Sequence, residues 1–219
     1  MKKLLSTIEI LSVFFIFVLP PLLASPDYSS RSVQISLNFY TLGMFLSCFF
    51  LFLIHREVYE KRFCNSPKPD IFLIHSLCLM GFGTLVLISA VFQALTAFIA
   101  HRGGNAAVTT LVLPSSPFLW LSLVLSVFLS AFSEEFLYRF YIPDFISDFF
   151  EGKFRFLFEI LAVLIFAFSH RYQGWQGVLN ALACGSILRV IFVKAQSLWI
   201  SFGIHVFYNF ITILFSAVL

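Results

Sequence analysis

The chain has 219 residues, of which 60% are hydrophobic and 11% are charged, with a formal net charge of +3. Soluble domains carry about 25% charged residues, so this composition excludes an ordinary soluble domain. The basic residues lie at the ends of apolar stretches, which indicates membrane topology and gives no sign of a nucleic-acid partner. Lipid offers the backbone no hydrogen-bond partners, and the apolar stretches lack polar–apolar alternation, so the sequence predicts an all-α, polytopic membrane helix bundle.

Seven apolar segments are candidate transmembrane helices. A helix needs roughly 20 residues to cross a bilayer. The seven segments are residues 4–24, 33–54, 71–100, 116–142, 155–170, 175–193 and 197–218. A further segment, 143–155, mixes acids, bases and phenylalanines and is interpreted as a short amphipathic helix at the inner membrane surface.

The first segment has two interpretations. Lys2 and Lys3, the apolar stretch 8–19 and the sequence Leu-Ala-Ser at 23–25 resemble a cleavable signal peptide. The same residues fit an uncleaved first helix, which we expect. The topology of the later segments is the same in both cases.

Basic residues predict the orientation of the chain, because cytoplasmic loops carry an excess of Lys and Arg. With the N-terminus in the cytoplasm, ten basic residues fall inside and three outside, while Arg139 lies within a motif and is set aside. We therefore expect a multi-pass membrane protein with a cytoplasmic N-terminus. The inside set is Lys2, Lys3, Arg56, Lys61, Arg62, Lys68, Lys153, Arg155, Arg189 and Lys194, and the outside set is Arg31, Arg102 and Arg171.

Ionisable residues inside apolar segments point to function, because a charge at the centre of a bilayer costs at least about 2.5–3.5 kcal/mol. The last four predicted helices hold most of them. Glu159, one turn from Arg155, is interpreted as an interfacial acid. Three histidines at helix ends are interpreted as interfacial in the same way: His55, His75 and His101. The residues of interest are Glu134, Glu135, Arg139, His170, His205 and Asn209.

Helical spacing predicts how these side chains are arranged. Glu135 and Arg139 are four residues apart on one helix face, so they can form an ion pair. Glu134 points about 100° away from Glu135, which leaves it free for another partner. His205 and Asn209 also share a face, and at 1.5 Å per residue Glu134 and His205 each lie about 12 Å from the cytoplasmic side.

Phe166 and His170 share a face of the fifth segment in the same way. A straight helix over 155–170 would carry His170 toward the outer surface. A turn within the membrane at the sequence RYQGWQG, between the fifth and sixth segments, would keep it near the other polar residues.

These side chains provide the parts for attack of water on a peptide carbonyl. A carboxylate such as Glu134 in an apolar cavity can act as a general base, and an imidazole can help to hold the water. A second imidazole and an amide, from His205 and Asn209, can donate hydrogen bonds to an oxyanion. Two histidines and a glutamate could also bind zinc, but the sequence HExxH is absent and no cysteine pair has metal-site spacing, so we expect no cofactor.

At these residues the sequence resembles the CPBP family, which includes the Rce1-type CaaX prenyl endopeptidases and the Abi bacteriocin-immunity proteins. Three motifs carry the resemblance, in order and within about 80 residues. They are EExxxR (Glu134, Glu135, Arg139), FxxxH (Phe166, His170) and HxxxN (His205, Asn209).

The resemblance implies a glutamate-dependent intramembrane endopeptidase with N-terminal transmembrane helices at 1–115 and a catalytic core at 116–219. Glu134 would be the base and share its water with His170, and the pair of His205 and Asn209 would form the oxyanion hole. Supporting roles fall to Glu135, Arg139 and Phe166, in a polar cavity formed by the last four helices and open to the cytoplasm.

The expected partners are the lipid bilayer and a peptide or membrane-protein substrate. Nothing in the sequence selects a prenylated substrate, and we expect a bacterial member of the family, in the plasma membrane, that acts on peptides or membrane proteins. Two other functions remain open: a non-catalytic immunity or scaffold protein that binds peptides in the same cavity, and a small transporter with an ionisable relay.

Overall fold

The computed structural model describes residues 2–25, 31–64, 69–102 and 109–218. Residues 65–68 of the predicted inner loop, including Lys68, and residues 103–108 of the predicted outer loop lie outside these ranges.

Helices form almost the whole of the described chain, so the predicted all-α fold class is confirmed. In addition, two three-residue strands, β1 (Arg31–Val33) and β2 (Thr109–Leu111), pair in parallel. The α-helices are α1 (Lys2–Val13), α2 (Leu19–Leu23), α3 (Phe39–Ile54), α4 (Arg56–Tyr59), α5 (Ile71–His101), α6 (Pro117–Glu135), α7 (Ser147–Phe149), α8 (Arg155–Ser169), α9 (Gly174–Ala195) and α10 (Leu198–Val218). Three π-helical segments, π1 (Phe14–Val18), π2 (Glu60–Cys64) and π3 (Phe136–Ile146), continue α1, α4 and α6, and a 3₁₀ turn, Arg171–Gln173, precedes α9.

Polar side chains define several helix ends. The Asn38 side chain accepts a hydrogen bond from the backbone N–H of Thr41 at 2.8 Å, which caps the start of α3. Ser116 caps α6 in the same way, directly before Pro117. At the C-terminal end of α9, Gln196 takes a left-handed conformation with φ of 50°, which ends the helix before α10 begins.

In the described residues, five helices are long and apolar enough to cross a membrane, or six if the bent pair formed by α3 and the α4–π2 helix counts as one span. The bend between those two parts is 65°. The predicted number of seven is not reached because the fifth segment forms α8, which has 15 residues. A 15-residue helix is about 22 Å long, whereas a bilayer core is about 30 Å thick.

The structure corrects the prediction for 143–155. Residues 143–149 do not form a separate amphipathic helix, because α6, π3 and α7 make one continuous helix from Pro117 to Phe149. Pro143 is accommodated inside the π-helical part. π-Helical turns tolerate irregular backbone hydrogen bonding and are frequent at functional sites, and this one begins directly after Glu135.

Two groups of apolar side chains hold the helices together. The larger group joins α1, α3, the π2 segment, α6 with π3, and α8 to α10, around a set of aromatic rings. The smaller group packs α5 against α9 and α10 through Leu85, Leu188 and Ile204. The N-terminal helices therefore pack directly on the C-terminal ones that carry the motifs.

The first helix is part of this core. Val13, Phe17 and Val18 are buried, and the carboxylate of Glu9 accepts hydrogen bonds from His55 at 2.8 Å and from the Tyr141 hydroxyl at 2.7 Å. The first helix therefore contacts both His55 and the helix that carries Tyr141. The interpretation of His55 as interfacial is corrected, because His55 is buried.

Candidate active site

The two adjacent glutamates in the last turn of α6, Glu134 and Glu135, have different surroundings. Glu135 is completely buried, whereas the side chain of Glu134 remains 22% exposed. This difference follows from the 100° rotation per residue of an α-helix. One carboxylate is therefore enclosed by protein and the other is accessible.

Glu135 lies between two partners. Its Oε1 atom is 3.3 Å from Nε of Arg139, the ion pair predicted from the four-residue spacing. The same oxygen is 2.9 Å from Nδ1 of His205 on α10. A carboxylate beside a guanidinium is ionised and can only accept hydrogen bonds, so Nδ1 of His205 carries a proton and donates it to Glu135.

The His205 ring brings the second glutamate into the site. Its Nε2 atom lies 3.7 Å from Oε2 of Glu134, which is beyond direct hydrogen-bond distance but within ion-pair range. His205 is 3% exposed. The ring therefore stands between the two carboxylates, held firmly by Glu135 and facing the accessible Glu134.

The Phe166 ring packs near three of the polar side chains of the site. Its centre lies 4.7 Å from the centre of the His170 ring and 6.3 Å from that of His205. The guanidinium of Arg139 sits over the same ring at 4.5 Å, a cation–π contact. Gly185 of α9 makes room for this ring, because a Cβ atom there would lie 2.6 Å from Cδ1 of Phe166.

His170 follows the last residue of α8, where the short helix ends beside the site. Its Nδ1 atom is 2.9 Å from the backbone carbonyl of Phe166. Because a carbonyl only accepts, Nδ1 carries the proton, and in the neutral ring Nε2 keeps its lone pair. The Phe166 ring is the shared neighbour of His170 and His205, and in the described residues no hydrogen bond or ion pair joins His170 directly to Glu134, His205 or Asn209.

Asn209 lies one helical turn beyond His205 on α10 and is partly buried. Among the residues that the structure describes, its side-chain amide makes no hydrogen bond, although its backbone carbonyl accepts one from Thr212. The amide is therefore available as a donor on the same helix face as His205.

Arg139 is a fully buried cation with few polar contacts. Within the described ranges its three guanidinium nitrogens have no hydrogen-bond partner. The ion pair with Glu135 and the ring of Phe166 compensate its charge instead. A buried ion pair that loses one partner is strongly destabilised, so Glu135 and Arg139 depend on each other.

The donor atoms do not form a metal site in the described part of the chain. A catalytic zinc ion needs three protein ligands, and no three His, Cys, Asp or Glu side chains there are grouped to hold one. His205 already donates from Nδ1 to Glu135. The four cysteines are unpaired and scattered.

A cavity of about 340 Å³ lies at the turn between α8 and α9, next to His170. Its lining residues are Phe168, Arg171, Gly174, Trp175 and Val178. None of the four residues proposed as catalytic lines this cavity. It is more apolar than the polar cavity expected from the sequence.

Sequence reasoning missed a second buried polar group at the far end of π3. The sequence predicts Asp144 in an interfacial helix, Glu159 as an interfacial acid and Arg189 as a topology signal. In the structure Arg189 is buried and forms ion pairs with both acids. One sequence signal could have revealed this group: Glu159 and Arg189 both lie inside apolar segments. An ionisable residue within a membrane segment is by default a candidate functional residue.

The helices and the buried charges define an integral membrane protein with a polar site enclosed by its last helices. Residues 116–211 match the family model described as type II CAAX prenyl endopeptidase, Rce1-like. The resemblance to the CPBP and Rce1-type proteins is thus confirmed over the segment that holds all three motifs, and it supports a membrane protease. No curated protein and no solved structure matches the chain significantly.

Proposed function

We propose that this protein is an intramembrane endopeptidase in which Glu134 activates a water molecule for attack on a peptide bond of a membrane-associated protein or peptide. The observation that carries the proposal is the 3.7 Å approach of Glu134 to His205, beside a second glutamate whose Oε1 atom contacts both Arg139 and His205. The family match over residues 116–211 supports a protease.

The different surroundings of the two glutamates support their assignment. A general base must reach the proton that it removes, and Glu134 is the accessible member of the pair. Glu135 is buried against Arg139 and His205, so its role is to hold the site in shape. A lone pair on Nε2 of His170 suits that residue to share the water with Glu134.

The reaction balances with protein groups alone. Glu134 takes a proton from water as the water oxygen bonds to the carbonyl carbon. The resulting oxyanion accepts a hydrogen bond from the amide of Asn209 and, when the ring carries both protons, from Nε2 of His205. The carbon–nitrogen bond then breaks, and Glu134 returns the proton to the leaving nitrogen, which gives a carboxylic acid and an amine; transfer of the acid proton to the amine yields a carboxylate and an ammonium group.

The test compares wild-type protein with Glu134→Gln, which preserves the shape of the side chain and removes the base. Loss of a general base costs about 10²–10⁴-fold in rate. Glu151→Gln is the matched control, because Glu151 is exposed and paired with Lys153. The measurements are the cleavage rate of membrane-anchored peptides in proteoliposomes and a proteomic comparison of protein C-termini and membrane peptides in cells.

The outcomes separate the candidate functions. Cleavage by wild type and by Glu151→Gln, with loss in Glu134→Gln, supports the peptidase. A peptide-binding immunity or scaffold protein would keep its phenotype in Glu134→Gln and cleave nothing. A transporter would move solute across liposomes without cleavage. Either of these results would overturn the proposal.

A further inference from the structure

A buried ion network lies directly after the motif residues, in the C-terminal part of the helix Pro117–Phe149 that carries Glu134, Glu135 and Arg139. Its centre is Arg189 of α9, whose side chain is 7% exposed. Asp144 of π3 is 1% exposed, and Glu159 of α8 is 29% exposed. One buried guanidinium therefore joins three consecutive helical elements.

Every part of the Arg189 guanidinium is used. Nε donates to one oxygen of Glu159 at 2.7 Å and Nη2 donates to the other, which is the bidentate geometry of arginine with carboxylate. Nη1 donates to Asp144 at 2.9 Å. The same nitrogen donates to the backbone carbonyl of Arg139.

The bond to the Arg139 carbonyl connects this network to the site. Arg139 lies in π3, four residues after Glu135. Its side chain is fixed by Glu135 and the ring of Phe166, and its backbone is fixed by Arg189. The segment is π-helical, a backbone form that is frequent at functional sites.

Further charges neutralise the network. Asp144 is also within 3.2 Å of Arg62 and 3.4 Å of Arg155, and Arg62 pairs with Asp148 at 2.7 Å. Three guanidinium groups thus face three carboxylates. This balance permits a buried arginine where an isolated charge would be too costly.

We propose that Arg189 is a positioning residue for the active site, which sets the backbone of π3 at Arg139 and thereby the directions of Glu134 and Glu135. This rests on the proposed function. Lysine cannot replace it, because an ammonium is a point charge that cannot bind both oxygens of Glu159 and still reach the Arg139 carbonyl.

The experiment uses the purified full-length protein in proteoliposomes with the variants Arg189→Lys, Glu159→Gln and their double variant. Lys194→Met is the control, because it removes an exposed charge from the same helix. Kinetic constants are expressed per folded molecule. We expect Arg189→Lys to lower kcat by about 10-fold to 100-fold with KM unchanged, and Lys194→Met to behave as wild type.

The double variant separates positioning from general stability. Since Arg189 and Glu159 act through one carbonyl, their combined effect on kcat should be smaller than the product of the two single effects. A wild-type kcat in Arg189→Lys overturns the proposal, and so do fully multiplicative effects. If Arg189→Lys does not fold, Glu159→Gln alone decides: a lower kcat with unchanged KM supports positioning, and a wild-type kcat overturns it.

A second measurement does not depend on catalysis. A hydrophobic carbodiimide labels accessible carboxyl groups, and mass spectrometry reports the labelling rate of Glu134. We expect this rate to change in Arg189→Lys and to stay constant in Lys194→Met. If the wild-type protein cleaves no peptide, the proposed function fails, and this labelling still decides whether Arg189 positions Glu134: an unchanged rate overturns it.

Discussion

Substitution of Gly185 by alanine would place a methyl group 2.6 Å from Cδ1 of Phe166. Carbon atoms in contact prefer about 3.5–4.0 Å, so the ring would have to move by about 1 Å. Insertion of a methyl group into a packed core costs about 1–3 kcal/mol. Alanine gains up to about 1 kcal/mol of helix propensity over glycine, so the net loss of stability should be small.

The effect on activity should be larger than the effect on stability. Phe166 contacts the rings of His170 and His205 and the guanidinium of Arg139, so a shift of its ring displaces several site residues together. A misplacement of about 1 Å can cost about 100-fold in rate. We therefore expect a strong fall in kcat together with a small change in Tm.

The assay is the initial cleavage rate of a membrane-anchored peptide, measured beside thermal unfolding in the same detergent. Gly83→Ala is the matched control, because a Cβ atom at Gly83 of α5 would meet nothing within 4 Å. Full activity in Gly185→Ala would refute the view that Phe166 holds the site residues in place. A similar loss in Gly83→Ala would show that the effect is not local.

Three further predictions follow from the buried contacts. Glu135→Gln leaves Arg139 without its counter-ion and should destabilise the protein by about 3–5 kcal/mol, seen as a lower Tm, whereas Glu151→Gln should leave Tm unchanged. Glu9→Gln weakens the charged acceptor of the Tyr141 hydroxyl and should cost about 1–3 kcal/mol; an unchanged Tm would contradict a structural role for α1. Treatment with a chelator should leave peptide cleavage unchanged, and restoration of lost activity by zinc alone would refute the metal-free mechanism.

Hydropathy predicted the membrane helices well because lipid leaves the backbone few alternatives. The hydropathy prediction was wrong at α8. This helix is apolar along its length, but its 15 residues are too few to cross the bilayer core. The prediction also divided the helix at Pro143, since proline normally ends a helix. The π-helical backbone that accommodates this proline has no simple sequence signal.

Helical spacing in the sequence correctly predicted an ion pair where both partners lie on one helix. The pair of Glu135 and Arg139 follows from four-residue spacing, and the structure places the two 3.3 Å apart. The same rule gives no partner on another helix, and the ion pair of Glu159 with Arg189 on the neighbouring helix is therefore not predicted. Local spacing gives the possible partners on one face, and it contains no information about which other helix packs against that face.

In the proposed mechanism, the two adjacent glutamates divide between them two roles that one carboxylate could not fulfil. The carboxylate of Glu135 neutralises Arg139 and accepts a hydrogen bond from Nδ1 of His205, so a proton taken from water would cost the protein its buried ion pair. That same bond fixes the His205 ring so that Nε2 faces Glu134. A residue one position away along a helix points about 100° aside, which places Glu134 outside the ion pair but beside the imidazole that the ion pair holds. Glu135 therefore fixes the imidazole that Glu134 faces, and the adjacency of the two glutamates in sequence is what makes this arrangement possible.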